Sequence, residues 1–131
     1  GAAGGIGFGF MAYLDAQMRN GFRLISEMTG LEEEVKKCNL VITGEGKIDR
    51  QTQFGKTPYG VAQVAKKHNK PVIAVSGTLG EGYEVLYEKG FDALFSITDR
   101  PMSLQDSMKN AGKLLRSTGK SLAGLIQVLE K

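Results

Sequence analysis

Three runs of residues decide the fold: Leu40-Val41-Ile42-Thr43, Pro71-Val72-Ile73-Ala74-Val75-Ser76 and Phe91-Asp92-Ala93-Leu94-Phe95-Ser96-Ile97-Thr98. Each is short and rich in apolar and β-branched residues. The first ends at Gly44, the second at Gly77 and the third just before Asp99. Runs of this kind predict strands that are buried on both faces, as in a parallel sheet.

Helical patterns lie between these runs. Pro58 begins the first pattern, and the second covers residues 81–89 and is followed by Gly90, a typical residue just beyond a helix end. Strand, helix, strand, helix, strand implies right-handed βαβ crossovers. The chain is therefore predicted to be an α/β protein with three layers and a mainly parallel, Rossmann-like sheet. The residues predicted to face the sheet are Val61, Val64 and Ala65 in the first helix and Val85 and Leu86 in the second.

Helices are also predicted before the first strand. In residues 5–18 large apolar side chains recur every four positions, beside a stripe of small residues that would allow close packing. Shorter helices are predicted around residues 22–28 and 31–37. We expect residues 1–38 to form a helical segment that links to another domain, and residues 39–131 to form the α/β domain.

A long helix is predicted at the C-terminal end of the α/β domain. Ser103 can cap it, with Asp106 three residues later in a variant of the capping box. Gly119 is expected to break or kink this helix, because glycine is costly in a helix interior. Its apolar face comprises Leu104, Met108, Ala111, Leu115, Leu122, Ile126 and Leu129.

Charge and cysteine content narrow the class of protein. The chain has 131 residues and a net charge of +3, with its basic residues spread except at 66–70, which is typical of a helix end. We expect no nucleic-acid partner. Without a run of 18 apolar residues, no membrane-spanning helix is predicted. The one cysteine, Cys38, cannot form an internal disulfide, so the expected location is the reducing cytoplasm.

The carboxyl ends of the predicted strands are where an open α/β sheet binds its ligands. The richest of these ends is residues 44–56, which holds two carboxylates and three cations. Carboxylates can hold Mg²⁺, and lysine or arginine can neutralise phosphate oxygens. The alternative is an exposed polar loop whose charges are simply solvated. The charged residues are Glu45, Lys47, Asp49, Arg50 and Lys56.

The glycine-rich stretch at the start of the chain has two interpretations. Gly1-Ala2-Ala3-Gly4-Gly5-Ile6-Gly7 enters the first predicted helix, where free N–H groups favour a carboxylate or phosphate. Close helix packing explains the same small residues equally well. Neither His68 nor Cys38 has the sequence context of a nucleophilic or zinc site.

Several of these motifs together resemble the type I glycerate kinase family. They are Gly1-Ala2-Ala3-Gly4-Gly5-Ile6-Gly7, the run Asn39 to Asp49 with Thr43-Gly44-Glu45-Gly46-Lys47-Ile48-Asp49, then Gln51-Thr52, and Gly55-Lys56-Thr57-Pro58-Tyr59-Gly60-Val61-Ala62. The resemblance covers essentially the whole chain, which would correspond to the last third of a family member. Lys47 departs from the arginine that is more usual there, with the charge kept.

The resemblance implies an ATP- and Mg²⁺-dependent kinase that phosphorylates a hydroxyl of D-glycerate, with its active site in a cleft between two domains. Glu45 and Asp49 would be the metal-holding or proton-accepting carboxylates, and Lys47 would act beside them in catalysis. Which carboxylate is the base stays open, as does phosphorylation at the 2- or 3-position. The residues assigned to substrate or phosphate binding are Gly4, Gly5, Gly7, Gly44, Gly46, Arg50, Thr52, Lys56 and Ser76.

The family's N-terminal portion, with its D-S-F-K-G segment, has no counterpart in this sequence. We therefore expect the chain alone to show little or no kinase activity, and to expose apolar surface that could support homo-oligomers. Two other functions stay open. One is a non-catalytic phosphate- or nucleotide-binding module, and the other is a structural domain that binds partners through its last helix.

Overall fold

A computed structural model describes residues 2–130 of the chain. Five α-helices and three strands alternate with short 3₁₀ segments. The helices are α1 (Ile6–Leu14), α2 (Gly21–Thr29), α3 (Leu31–Lys37), α4 (Thr57–Lys67) and α5 (Leu104–Leu129). The strands are β1 (Val41–Ile48), β2 (Val72–Leu79) and β3 (Ala93–Ser96), and the 3₁₀ segments are Ala2–Gly5, Arg50–Gln53 and Tyr83–Lys89.

The strands form one parallel sheet in the order β1-β2-β3, which confirms the predicted α/β class. Both longer strands continue past the glycines at which they were predicted to end. A side chain at Gly44 would place its Cβ 2.4 Å from the Val75 carbonyl oxygen, so this glycine lies inside the sheet where two backbones approach closely. The third strand is shorter than predicted.

Helices cover both faces of the sheet. On one face α4 packs against Val41, Val72 and Ala74, which are buried together with residues of α3 and of the segment before β3. Neighbouring residues of the strands, such as Ile42 and Val75, point to the opposite face and line a groove beneath α5. The three predicted layers are present. In α4 the buried residues are Pro58, Ala62 and Ala65, with Val61 and Val64 partly buried.

The prediction that every strand is buried on both faces is wrong for β1. Within residues 2–130, β1 pairs with β2 alone and forms an edge of the sheet. Its Ile42 is 56% exposed in the groove beneath α5. The apolar pattern of β1 indicates a face that is suited to burial. Residues 2–130 leave this face partly exposed at Ile42.

Three of the helix predictions also need correction. The pattern predicted over residues 81–89 forms a 3₁₀ segment, Tyr83–Lys89, which begins two residues later. The first helix ends at Leu14 rather than at residue 18, because Asp15 adopts a left-handed conformation. The Asp15 N–H donates a hydrogen bond to the Phe10 carbonyl oxygen. Asp is one of the few residues that accept this conformation. At the other end, α5 runs without interruption through Gly119. The cost of one helical glycine, about 1 kcal/mol, is too small to break a helix of this length.

Of the N-terminal helices, α3 packs against the sheet. Val35 of α3 lies in the same core as the strands. Glu32 of α3 accepts hydrogen bonds from Lys67 (2.6 Å) and His68 (2.7 Å) at the end of α4. The basic stretch at 66–70 thus closes α4, as predicted, and the domain division at residue 38 stays a prediction. No helix within residues 2–130 combines the length and apolar character needed to cross a membrane.

Replacing Gly44 with alanine should destabilise the fold, because the new methyl group would press on the Val75 carbonyl. We expect a loss of roughly 1–3 kcal/mol in the free energy of unfolding, measured by urea titration. Gly46→Ala in the same strand is the matched control, since nothing lies within 4 Å of a Cβ at that position. Equal losses in the two variants would contradict the close approach of β1 and β2.

The ion pairs of Glu32 should make the fold sensitive to acid. Hydrogen bonds from Lys67 and His68 lower the pKa of Glu32 from 4.5 to about 2. A carboxylate with a depressed pKa stabilises the fold above its unfolded pKa, and this contribution is lost as the pH falls from about 4.5 to about 2. Glu32→Gln should therefore flatten the pH dependence of the urea midpoint in this range.

The control for this prediction is Glu34→Gln, because the ion pair of Glu34 with Lys37 stays within α3. It should change the pH dependence less than Glu32→Gln does. If the two variants gave the same pH profile, the link between α3 and α4 would not stabilise the fold.

Candidate functional site

Four charged side chains meet where β1 ends and α4 begins. They form the charged cluster: Glu45, Lys47, Asp49 and Lys56. Residues 45, 47 and 49 alternate along an extended backbone and so lie on one side of it. The Lys47 ammonium is 3.3 Å from an Asp49 oxygen. The Lys56 ammonium is 3.8 Å from Asp49 Oδ1 and 4.0 Å from Glu45 Oε2, so one cation lies near both carboxylates.

Asp49 is held by the backbone as well as by the lysines. Its Oδ1 accepts a hydrogen bond from the Gln51 N–H at 3.0 Å, and its own N–H donates to Thr52 Oγ1 at 3.2 Å. Burial raises the pKa of Asp49, but the Lys47 ammonium, the Gln51 N–H and the Lys56 charge together outweigh it. The net effect is a pKa below the ordinary value of 3.8, so the carboxylate is ionised at neutral pH.

Glu45 is held much less firmly. Its Oε2 is buried and accepts no hydrogen bond within residues 2–130, and the Lys56 ammonium stands 4.0 Å away. A buried oxygen without a hydrogen-bond partner costs free energy, and such atoms often mark a place where an ion or a ligand binds. Glu45 Oε2 therefore has an acceptor position that a hydrogen-bond donor or a metal ion of a ligand would fill.

Gly80, which is not among the predicted site residues, supports the cluster. A Cβ at Gly80 would lie 2.6 Å from Lys47 Cε and 3.1 Å from Asp49 Cβ. The absence of a side chain there leaves the room that both residues occupy. The available signal was the position of Gly80 directly after Leu79, which pairs with Ile48 at the end of β1.

The other residues assigned to ligand binding have different surroundings. Arg50 is exposed and makes no ion pair within residues 2–130. Thr52 is fully buried, and Ser76 is nearly so, with its hydroxyl donating to the Thr78 carbonyl at 2.6 Å. Two of the glycines, Gly44 and Gly46, lie within β1 and line the groove beneath α5.

The N-terminal glycines lie at the start of α1. Ala3, Gly4 and Gly5 have positive φ angles of 52°, 65° and 82°. Neither the charged cluster nor the lining of the groove includes Gly4, Gly5 or Gly7 in the part of the chain that the structure describes. Their assignment to a ligand stays a prediction.

The groove beneath α5 adjoins the charged cluster. It has a volume of about 950 Å³. Apolar side chains of α5 form one wall, among them Met108, Leu115 and Ile126, and the strands form the other. Glu45 belongs to both the groove and the cluster. The site is therefore a strip of charge beside a large apolar surface.

The carboxylates of the charged cluster suit Mg²⁺ only in combination with a bound substrate. No group of three or more His, Cys, Asp or Glu residues within residues 2–130 could enclose a metal ion. Mg²⁺ is usually bound through one or two carboxylates together with substrate phosphates and waters. Glu45, with its unpartnered buried oxygen, and Asp49, ionised beside it, fit such a site.

Comparison with known proteins identifies the family. The glycerate kinase family profile matches residues 1–127. The chain is 49% identical over 123 residues to the glycerate kinase of Halalkalibacterium halodurans, covering 94% of this chain and 32% of that protein. It is 39% identical over 128 residues to the glycerate 2-kinase of Escherichia coli, covering 98% of this chain and 34% of the relative.

A solved structure agrees with these sequence matches. The glycerate kinase 2 chain from Salmonella typhimurium superimposes with a TM-score of 0.72 at 37% identity, over 100% of this chain and 32% of that one. The chain thus spans about a third of the length of the relatives that it matches. With the sequence profile, the sequence identity and the fold in agreement, this chain belongs to the glycerate kinase family.

Proposed function

We propose that this chain supplies the phosphate-handling wall of an enzyme that transfers the γ-phosphate of ATP to a hydroxyl of D-glycerate. The observation that carries the proposal is the position of Lys56, within 4.0 Å of both Glu45 and Asp49 at the end of β1. Two carboxylates and two lysines at a strand end combine proton acceptance with neutralisation of phosphate charge. Membership of the glycerate kinase family supports this reaction.

In the proposed reaction the glycerate hydroxyl oxygen forms a bond to the γ-phosphorus of ATP, and the bond from that phosphorus to the bridging oxygen of ADP breaks. The hydroxyl proton passes to a carboxylate of the enzyme. Lys47 and Lys56 stabilise the negative charge on the equatorial phosphate oxygens. When bound, Mg²⁺ would supply further charge neutralisation, and Asp49 would hold it together with substrate phosphates and waters.

The two carboxylates are suited to different roles. Asp49 is kept ionised by Lys47, by Lys56 and by the Gln51 N–H, which makes it a weak proton acceptor and a good partner for a cation. Glu45 has a buried oxygen that accepts no hydrogen bond within residues 2–130, with the Lys56 ammonium 4.0 Å away. We assign the proton-accepting role to Glu45 and the charge-holding role to Asp49.

Glu45→Gln and Asp49→Asn should each abolish most of the turnover in a full-length glycerate kinase that carries this segment. The amide replaces a proton-accepting or charge-holding group with a neutral one, so we expect kcat to fall by roughly 10²-fold or more. Substrate affinity, measured by calorimetry, should be largely retained. Glu88→Gln, on an exposed position outside the cluster, is the control and should leave kcat unchanged.

Other functions predict other results for these variants. A non-catalytic binding module would have no turnover to lose. A domain that serves only to bind a partner would bind neither Mg-ATP nor glycerate. Full turnover in both cluster variants would show that the charged cluster is not the site of phosphoryl transfer.

The chain alone should have little or no kinase activity. It spans about a third of the length of its relatives, and phosphoryl transfer depends on the positioning of both substrates. A coupled assay of ADP release with D-glycerate and Mg-ATP measures this, with the full-length enzyme as the positive control. Robust turnover by the 131-residue chain would contradict the proposal that a further part of the enzyme completes the site.

The exposed apolar surface agrees with a larger protein. No residue of α1 is buried, and Phe8 and Tyr13 are 73% and 87% exposed. An unpaired apolar helix of this kind is ordinarily covered by further protein. We propose that the remainder of a full-length enzyme covers it, and homo-oligomerisation stays a prediction.

A further inference from the structure

Thr52 occupies an unusual place beside the charged cluster. It lies in the 3₁₀ segment Arg50–Gln53, and none of its surface is exposed. Its Oγ1 accepts a hydrogen bond from the Asp49 N–H at 3.2 Å, and its own N–H donates to the Asp49 carbonyl at 3.0 Å. Thr52 thus holds the backbone of Asp49 at two points.

This environment differs from the one that the family resemblance implied. A phosphate-binding threonine needs a hydroxyl that a ligand can reach, whereas the side chain of Thr52 has no exposed surface. Its hydroxyl oxygen is already turned toward the Asp49 backbone. The side chain can therefore influence a ligand only through the residue that it holds.

We propose that Thr52 is a positioning residue of the phosphoryl-transfer site, whose hydroxyl oxygen fixes Asp49 so that its carboxylate stays between Lys47 and Lys56. The proposal rests on the function proposed above and deepens it. The backbone bonds set the direction in which the Asp49 side chain leaves the end of β1. The bond from the Gln51 N–H to Asp49 Oδ1 then holds the carboxylate at 3.0 Å.

The lysines alone cannot provide this orientation. Lys47 is 59% exposed and Lys56 is 33% exposed, and both reach Asp49 through long flexible side chains. Their distances to the carboxylate, 3.3 and 3.8 Å, are longer than that of a tight charged hydrogen bond. Without the Thr52 oxygen the Asp49 N–H would lose its partner, and the turn that presents the carboxylate would loosen.

Two variants of Thr52 separate positioning from simple stability. Thr52→Val keeps the side-chain shape and removes the hydroxyl, whereas Thr52→Ser keeps the hydroxyl and removes a buried methyl group. Both should lower the unfolding temperature. In a full-length glycerate kinase that carries this segment, we expect Thr52→Val to lower kcat by roughly ten- to a hundredfold with a smaller change in KM. Thr52→Ser should keep kcat near that of the parent enzyme.

A second measurement reports on Asp49 directly in the 131-residue chain. Amide hydrogen exchange followed by NMR should be faster at the Asp49 N–H in Thr52→Val than in the parent chain, because that N–H loses its hydrogen-bond acceptor. Thr52→Ser keeps the hydroxyl oxygen and should leave that exchange rate near the rate in the parent chain. If Thr52→Val does not fold, Thr52→Ala compared with Thr52→Ser makes the same test.

Asp49→Asn in the same enzyme distinguishes a failure of the positioning role of Thr52 from a failure of the proposed function. If Asp49→Asn loses turnover while Thr52→Val and Thr52→Ser have equal kcat, the positioning role is wrong and the proposed function stands. If Asp49→Asn keeps full turnover, the role of Asp49 is wrong, and the role of Thr52 is wrong with it.

Discussion

The close approach of β1 and β2 is the constraint on which the site depends. At Gly44 and Gly77 a side chain would collide with the backbone of the neighbouring strand, since its Cβ would lie 2.4 Å from a carbonyl oxygen. Because both positions are glycine, the strands stay paired beyond the apolar runs, as far as Ile48 and Leu79. The extra length of β1 carries Glu45 and Lys47 on a rigid ladder of hydrogen bonds rather than on a loop.

The two carboxylates of the charged cluster have different surroundings. Burial by itself would raise the pKa of Asp49. The Lys47 ammonium, the Gln51 N–H and the Lys56 charge outweigh burial, so the carboxylate stays charged. Glu45 Oε2 has no donor within residues 2–130. A pair of carboxylates with such different surroundings is typical of sites in which one group holds charge and the other moves a proton. The apolar groove beside it provides a surface of low polarity, in which such electrostatic interactions are stronger.

The sequence predicted the fold class well because its apolar runs and helix signals are strong and local. α4 and α5 begin where Pro58 and Ser103 indicate, and α3 spans residues 31–37 as predicted. The strand ends were missed because a glycine that ends a strand looks the same in sequence as one that permits close pairing. The pattern also could not show that β1 would be an edge or that Asp15 would end α1.

For the site, residue type and spacing were enough to bring the acidic and basic residues of the cluster together. They could not show which hydroxyl groups bond to the protein's own backbone. Thr52 and Ser76 looked available in the sequence, yet both hydroxyl groups are engaged with the protein's own backbone. The role of Gly80 could not be predicted from the sequence. The space that this glycine leaves for Lys47 and Asp49 exists only once β1 and β2 are paired.

The central claim is that the end of β1 handles the transferred phosphate. The most direct test is a crystal structure of a full-length glycerate kinase carrying this segment, with Mg²⁺, ADP and D-glycerate bound. We predict phosphate oxygens within hydrogen-bond distance of Lys56, with the Glu45 carboxylate on the substrate hydroxyl. A structure in which phosphate and glycerate bind elsewhere, and Glu45, Asp49 and Lys56 contact only protein or solvent, would contradict this account.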